Sequence, residues 1–149
     1  MEINSTRFGP IEVEDDRIIL FEKGLLGFPG HTRFALIQTS EENYFFWLQS
    51  VDDANLAFVV TDPSIFVKDY EIPVRDDVRE DLELSDPGTA QVFVICNKAG
   101  DWLTGNLLGP LVVNTVNRRG LQVVLTEKRW GTRQPLVRLA QQVPLARSA

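Results

Sequence analysis

The stretch Trp47-Leu48-Gln49-Ser50-Val51-Asp52-Asp53-Ala54-Asn55-Leu56-Ala57-Phe58-Val59-Val60-Thr61-Asp62-Pro63 decides the fold class. Phe45 to Ser50 and Leu56 to Thr61 are rich in aromatic and β-branched side chains, which suit a pleated, half-buried surface. The residues between them carry adjacent aspartates, which suit a turn. Two strands joined by an acidic turn follow. Working outward, similar short apolar runs recur at Ile3 to Phe8, Arg17 to Phe21, Arg33 to Gln38, Gln91 to Asn97, Trp102 to Leu107, Leu111 to Thr115 and Leu121 to Leu125. Turn chemistry separates most of them, at Gly9-Pro10, Gly24 to Gly30, Asp86-Pro87-Gly88, Gly100-Asp101, Gly109-Pro110 and Arg118-Arg119-Gly120. The pattern predicts an all-β chain, a small antiparallel β-barrel or sandwich.

One segment inside the body reads as helix. Asp77 is placed to cap it with Glu80 in reciprocal position, Val78 and Leu82 share a face, and Asp86-Pro87-Gly88 stops it. Near the C-terminus Gln134-Pro135 is expected to break any strand. Leu136, Leu139, Ala140 and Val143 then follow helical spacing before Pro144. Such a short amphipathic turn either binds a partner or packs on its own domain and frays.

The length of 149 residues matches one domain with one core. A single cysteine, Cys96, excludes an intramolecular disulfide framework and any multi-cysteine metal centre, and fits a reducing cytoplasm. No run reaches the ~18 apolar residues of a membrane span. Met1-Glu2-Ile3-Asn4 lacks the basic and apolar parts of a signal peptide, so the chain is expected to be neither inserted nor exported.

The formal charge of −6 conceals a polarity. Up to Cys96 there are 19 acids and 7 bases, leaving −12; after it 2 acids and 8 bases leave +6. If the halves stay apart on folding, the acidic surface attracts a basic protein and repels nucleic acid; if they interleave, the charges mix.

Catalytic groups are sparse. His31 is the lone histidine, in a turn-rich segment, where imidazole metal sites want two or three. Cys96 ends the apolar run Val92-Phe93-Val94-Ile95 and reads as a buried, inert thiol. The cluster Gly24-Leu25-Leu26-Gly27-Phe28-Pro29-Gly30 lacks the basic residue and following helix of a phosphate cradle, and reads as a loop with positive φ angles. Asp52 and Asp53 point to opposite sides in an extended segment, which favours a solvated turn over an acid/base pair. Beyond Asp62-Pro63, Phe66 and Tyr70 alternate with Asp62, Asp69 and Glu71. That pattern is either an aromatic anchor ringed by acids, suited to a basic partner, or two rings roofing the core.

The chain resembles the flagellar assembly factor FliW family. Trp47 to Pro63 is similar to the family's most recognisable stretch. The similarity extends over Ile3 to Leu20 with Asn4, Phe8-Gly9 and Ile11, and over Phe21 to Ile37 with Gly24-Leu25, Gly27-Phe28 and Arg33-Phe34. It returns in Gly105 to Thr115, through Gly120 and Gln122 to Leu125, and closes at Thr132 to Leu136. Leu26, where many relatives carry proline, and Leu108-Gly109, in place of a more polar pair, depart from the pattern. The resemblance divides the chain into a β-barrel domain at 1–136 and a tail at 137–149, the latter a short helix or disordered.

What the resemblance implies is a cytoplasmic, non-enzymatic regulator without a cofactor. It would bind flagellin and also CsrA, a small RNA-binding repressor of flagellin translation, and relieve that repression by partner exchange. The partner-binding residues expected are Asp52, Asp53, Asp62, Phe66, Asp69, Tyr70 and Glu71. The main alternative is a small flavin-binding β-barrel oxidoreductase, with Arg118, Arg119 and Thr115 as phosphate donors. A third reading, a barrel that binds single-stranded RNA, would want a basic groove with exposed aromatic platforms.

Overall fold

The fold is seen in a computed structural model that describes residues 1–39 and 44–139. Eleven strands are described: β1 Glu2–Ser5, β2 Gly9–Glu12, β3 Ile18–Leu20, β4 Arg33–Ile37, β5 Phe45–Ser50, β6 Ala57–Thr61, β7 Ala90–Ala99, β8 Trp102–Gly105, β9 Leu111–Asn114, β10 Arg119–Gln122 and β11 Gln134–Arg138. Among the described residues one α-helix, α1, spans Asp76–Leu82. Seven strands close a ring in the order β7-β6-β5-β4-β3-β10-β9 and back to β7. The expected choice between barrel and sandwich therefore resolves to a barrel. An odd ring cannot be antiparallel throughout, and the obligatory parallel junction lies between β3 and β10, where Leu20 pairs with Arg119. Beyond Cys96, β7 leaves the ring and carries β8 and then β11 as an outlying ribbon.

Three apolar clusters explain why the strands are so uniformly hydrophobic. The barrel interior holds Ile19, Phe21, Phe34, Leu48, Val60, Phe93, Leu111 and Val113. Outside β3 and β4, the β1–β2 hairpin packs Ile3 and Val13 on Ala35. Outside β9 and β10, α1 places Val78 and Leu82 against Val112 and Val123. All four residues of β9 are buried because both of its faces are covered, which gives a continuous apolar run instead of an alternating one.

Several boundaries differ from the sequence reading. The first predicted strand ends at Ser5, whose Oγ accepts from the Arg7 and Phe8 N–H groups, and Gly9-Pro10 opens β2 instead of forming the turn. Around 118–120 the positive φ falls on Arg118 (62°), so Arg119 and Gly120 belong to β10. Asp77 does not cap α1: the helix is preceded by Arg75, with Asp76 and Asp77 both in its first turn, where their charges suit the helix dipole. Its end is held by Asn114, whose Nδ2 donates to Leu82 O at 2.9 Å.

The predicted break at Gln134-Pro135 is also corrected. Both residues lie in β11, an edge strand with a register irregularity between Pro135 and Val137, and an edge strand or a bulge is where a sheet tolerates proline. Strand replaces the expected helix as far as Arg138; Ala140, Val143 and Pro144 fall outside the described residues. In the glycine-rich loop Gly24 (68°) and Gly27 (84°) do take positive φ, as expected. Leu26 donates its N–H to Gln122 Oε1 at 2.7 Å, a bond that proline at this position could not make.

Cys96 is 5% exposed, and burial pushes its thiol from an ordinary 9.0 up to about 12. The unfolded chain therefore loses this proton first. Stability is expected to fall as pH rises above 9, by about 1.4 kcal/mol per pH unit from this group alone. Burial raises the Tyr70 hydroxyl as well, which steepens the decline above its ordinary 10.0. Urea unfolding between pH 8 and 10.5 checks this: Cys96→Ala should flatten the slope, and an unchanged slope would exclude the thiol as its cause.

Candidate functional site

The residues expected to bind a partner fall into two groups, because the chain crosses the barrel between them. Asp52 and Asp53 sit on the β5–β6 turn, whereas Asp62 follows the far end of β6, about 20 Å away at ~3.3 Å per residue. Asp52 pairs with Arg33 at 2.8 Å, with both side chains roughly half exposed, a pair worth at most about 1 kcal/mol. Asp53 Oδ1 accepts the Asn55 N–H at 2.9 Å. These are the contacts of a turn, and neither carboxylate is placed as an acid/base partner for the other.

The second group surrounds Asp62. Its Oδ1 accepts from the Ser64 N–H at 2.9 Å and the Ser64 hydroxyl at 2.7 Å, capping a single 3-10 turn that begins at Pro63. Its Oδ2 accepts from Gln91 Nε2 at 3.2 Å, so Asp62 tethers that turn to β7. Phe66 is half-buried and stacks on Phe45 with ring centroids 5.6 Å apart. Tyr70 packs its ring edge-on to Trp130 at 5.2 Å and donates its hydroxyl to Leu107 O at 2.6 Å. Both rings therefore serve the fold, and Tyr70 belongs to the cluster beneath α1.

Asp69 and Glu71 remain exposed. Asp69 adopts a left-handed φ of 59°, a conformation that aspartate tolerates, and its carbonyl accepts from Arg129 at 2.9 Å. Two shallow clefts of about 260 Å³ meet along the Asp62–Gln91 contact, one lined by Tyr44 and Ile65, the other by Tyr70 and Ile72. Tyr44 (60% exposed) and Ile65 (47%) give this end an apolar, acid-edged surface. Sequence reasoning passed over both. Tyr44 stands just outside a strand and Ile65 within the turn after Pro63, so exposure, not periodicity, marks them.

The charge polarity partly mixes on folding. Arg119 lies 3.0 Å from Glu22 and 3.4 Å from Glu83, joining bases of the second half to acids of the first. Arg129 stacks on Trp130 at 4.3 Å while holding the Asp69 carbonyl. These contacts also weaken the flavin alternative, since Arg119 is already paired and Thr115 Oγ1 donates to Thr89 O at 2.7 Å. Among the described residues no group of three or more His, Cys, Asp or Glu side chains is placed to hold a metal ion. Among them, too, no helix is long and apolar enough to cross a membrane.

The profile of the family described as FliW protein matches residues 2–136, which takes in the β1–β2 hairpin, the entire barrel and the start of β11. The chain belongs to the FliW family. Flagellar assembly factor FliW of Treponema denticola is 37% identical over 139 residues, covering 92% of this chain and 94% of that protein. The FliW of Magnetococcus marinus is 39% identical over 140 residues, covering 92% and 85%. A crystal structure of the flagellar assembly factor FliW superposes with a TM-score of 0.83 at 34% identity, covering 92% of this chain and 97% of the other. The seven-stranded barrel is thus shared with a solved FliW, and the relatives matched are flagellar assembly factors.

Proposed function

We propose that this protein is a cytoplasmic flagellar assembly factor that binds flagellin and, when flagellin is scarce, captures the translational repressor CsrA and relieves its block on flagellin synthesis. The family match across residues 2–136 is the observation that carries this reading. The surface at the Asp62 end supports it: exposed Tyr44 and Ile65 offer apolar contact area, and Asp69 and Glu71 offer charge for steering a basic partner. Partner exchange, not bond chemistry, is the mechanism.

Because Asp69 has a positive φ, Asp69→Asn removes its charge while keeping a residue suited to that backbone. Asp69→Asn combined with Glu71→Lys is expected to weaken CsrA capture about tenfold at low salt, with the difference shrinking as salt screens it. Calorimetry of both proteins at two salt concentrations is the measurement. Equal affinities at low salt would remove this surface from the CsrA site, and failure to recover flagellin or CsrA from native extract would overturn the function itself.

A further inference from the structure

The opposite end of the barrel carries a cleft of about 670 Å³ with different chemistry. It arises where two strands part. β6 and β7 pair through Val59 and Cys96, after which β7 turns to β8 and leaves Phe58 without a partner on that side. Phe58 and Ile95 line the cleft and also pack against the interior cluster, which gives it an apolar floor. The glycine-rich loop supplies Leu26 at its edge, 61% exposed.

Among the described residues, only cations and neutral groups line this cleft: Lys98 and Arg133 contribute its charges and no carboxylate is among them, although the chain as a whole carries −6. Both are exposed, and neither has an ion-pair partner among the described residues, in contrast to Arg33 and Arg119. Asn106 adds an amide: its Oδ1 accepts from the Leu108 and Gly109 N–H groups at 3.1 Å, leaving its Nδ2 as the free donor. The pairing of β8 with β7 and β11 brings Lys98 and Arg133 to the same cleft across 34 intervening residues of sequence.

We infer that this cleft is a second binding site, for a short acidic peptide segment that sets apolar side chains on Phe58 and Ile95 and carboxylates against Lys98 and Arg133. Its volume lies within the roughly 300–1,000 Å³ of small-ligand sites. Charge complementarity selects carboxylates, and the apolar floor selects a peptide over a bare anion. A phosphate site would want converging backbone N–H groups from a helix N-terminus or nest; α1 packs instead on the outer face of β9 and β10. The site is independent of the surface around Asp62 and does not rest on the partners proposed above.

The test titrates the ¹⁵N-labelled protein with a hexapeptide alternating glutamate and leucine. Parallel titrations use a lysine–leucine hexapeptide, inorganic phosphate and a uridine oligonucleotide. Saturable shifts from the acidic peptide at Lys98, Asn106 and Arg133 are expected, with about a tenfold loss of affinity in Lys98→Glu/Arg133→Glu. Because both side chains are exposed, the melting temperature of that variant should match the parent. Shifts mapping elsewhere, no saturable shifts, affinity unchanged in the double variant, or stronger binding of phosphate or oligonucleotide at these residues would each overturn the inference.

Discussion

Gln49→Glu is expected to cost at least about 4 kcal/mol at pH 7, far more than the near-identical shape of the two side chains suggests. Gln49 is fully buried, at 0% exposure, on the outward face of β5 beneath the β1–β2 hairpin. Its Oε1 accepts from Ser5 Oγ at 2.8 Å. Its Nε2 faces four carbonyl oxygens, those of Ser50 at 3.2 Å, Asp53 at 3.2 Å, Ala54 at 3.4 Å and Leu56 at 3.1 Å. One amide therefore fastens the hairpin to the acidic turn, and a carboxylate would set negative charge among four acceptors with no water to screen it.

The pH dependence follows from that geometry. Desolvation and the surrounding carbonyls would raise the folded-state pKa of a glutamate here above its unfolded value near 4.3. The folded form would then bind the proton more tightly, so the variant regains stability relative to the parent as pH falls through its folded pKa. Urea unfolding of parent and variant at pH 7 and pH 5 tests this directly. Gln49→Leu separates charge from lost hydrogen bonds: it should cost about 3 kcal/mol, with no such recovery at pH 5. If the glutamate and leucine variants lose the same stability at both pH values, the carbonyl cage is not what makes Gln49 necessary.

The turn between β5 and β6 also shows which parts of the molecule could be read in advance. The two strands were legible because Phe45 to Leu48 and Leu56 to Val60 are continuous runs rich in aromatic and β-branched side chains, a signal that survives without tertiary information. The role of Gln49 was not, since an outward polar residue normally meets solvent and only the hairpin laid over it buries it. Ring closure was equally invisible: β7 pairs first with β9 and later with β8, a division that a single apolar run does not mark. At the candidate site the acids and rings beyond Asp62 could be named, but their internal bonds could not. Asp62 holds a turn and Tyr70 holds Leu107, so the exposed character passes to Tyr44, Ile65, Asp69 and Glu71.

Gly120 is the second place where a small change should have a large effect. Its sequence neighbours Arg118 and Arg119 suggest a turn glycine, yet its φ is not among the positive ones, and its role is close approach. A Cβ at this position would lie 2.5 Å from Phe21 Cε1, 2.8 Å from Cζ and 2.9 Å from Cδ1. Phe21 is 1% exposed and braced edge-on by Phe34 at 5.8 Å, so the ring has little room to withdraw. The clash falls beside the parallel β3–β10 junction, where Leu20 and Arg119 form the one register pair and the Leu20 N–H donates to Arg118 O at 2.9 Å. Gly120→Ala is expected to cost about 3 kcal/mol by overpacking, lowering the melting temperature by roughly 10 °C for a chain of this size. Phe21→Leu alone should cost about 2 kcal/mol through the space it leaves. Combined, the two substitutions should destabilise less than the sum of their separate effects by at least about 1 kcal/mol, because the shorter side chain makes room for the new methyl. Thermal and urea unfolding of all four proteins measures that coupling. Strictly additive losses would show that the ring is not the obstacle and that Gly120 is required by the backbone at the seam itself.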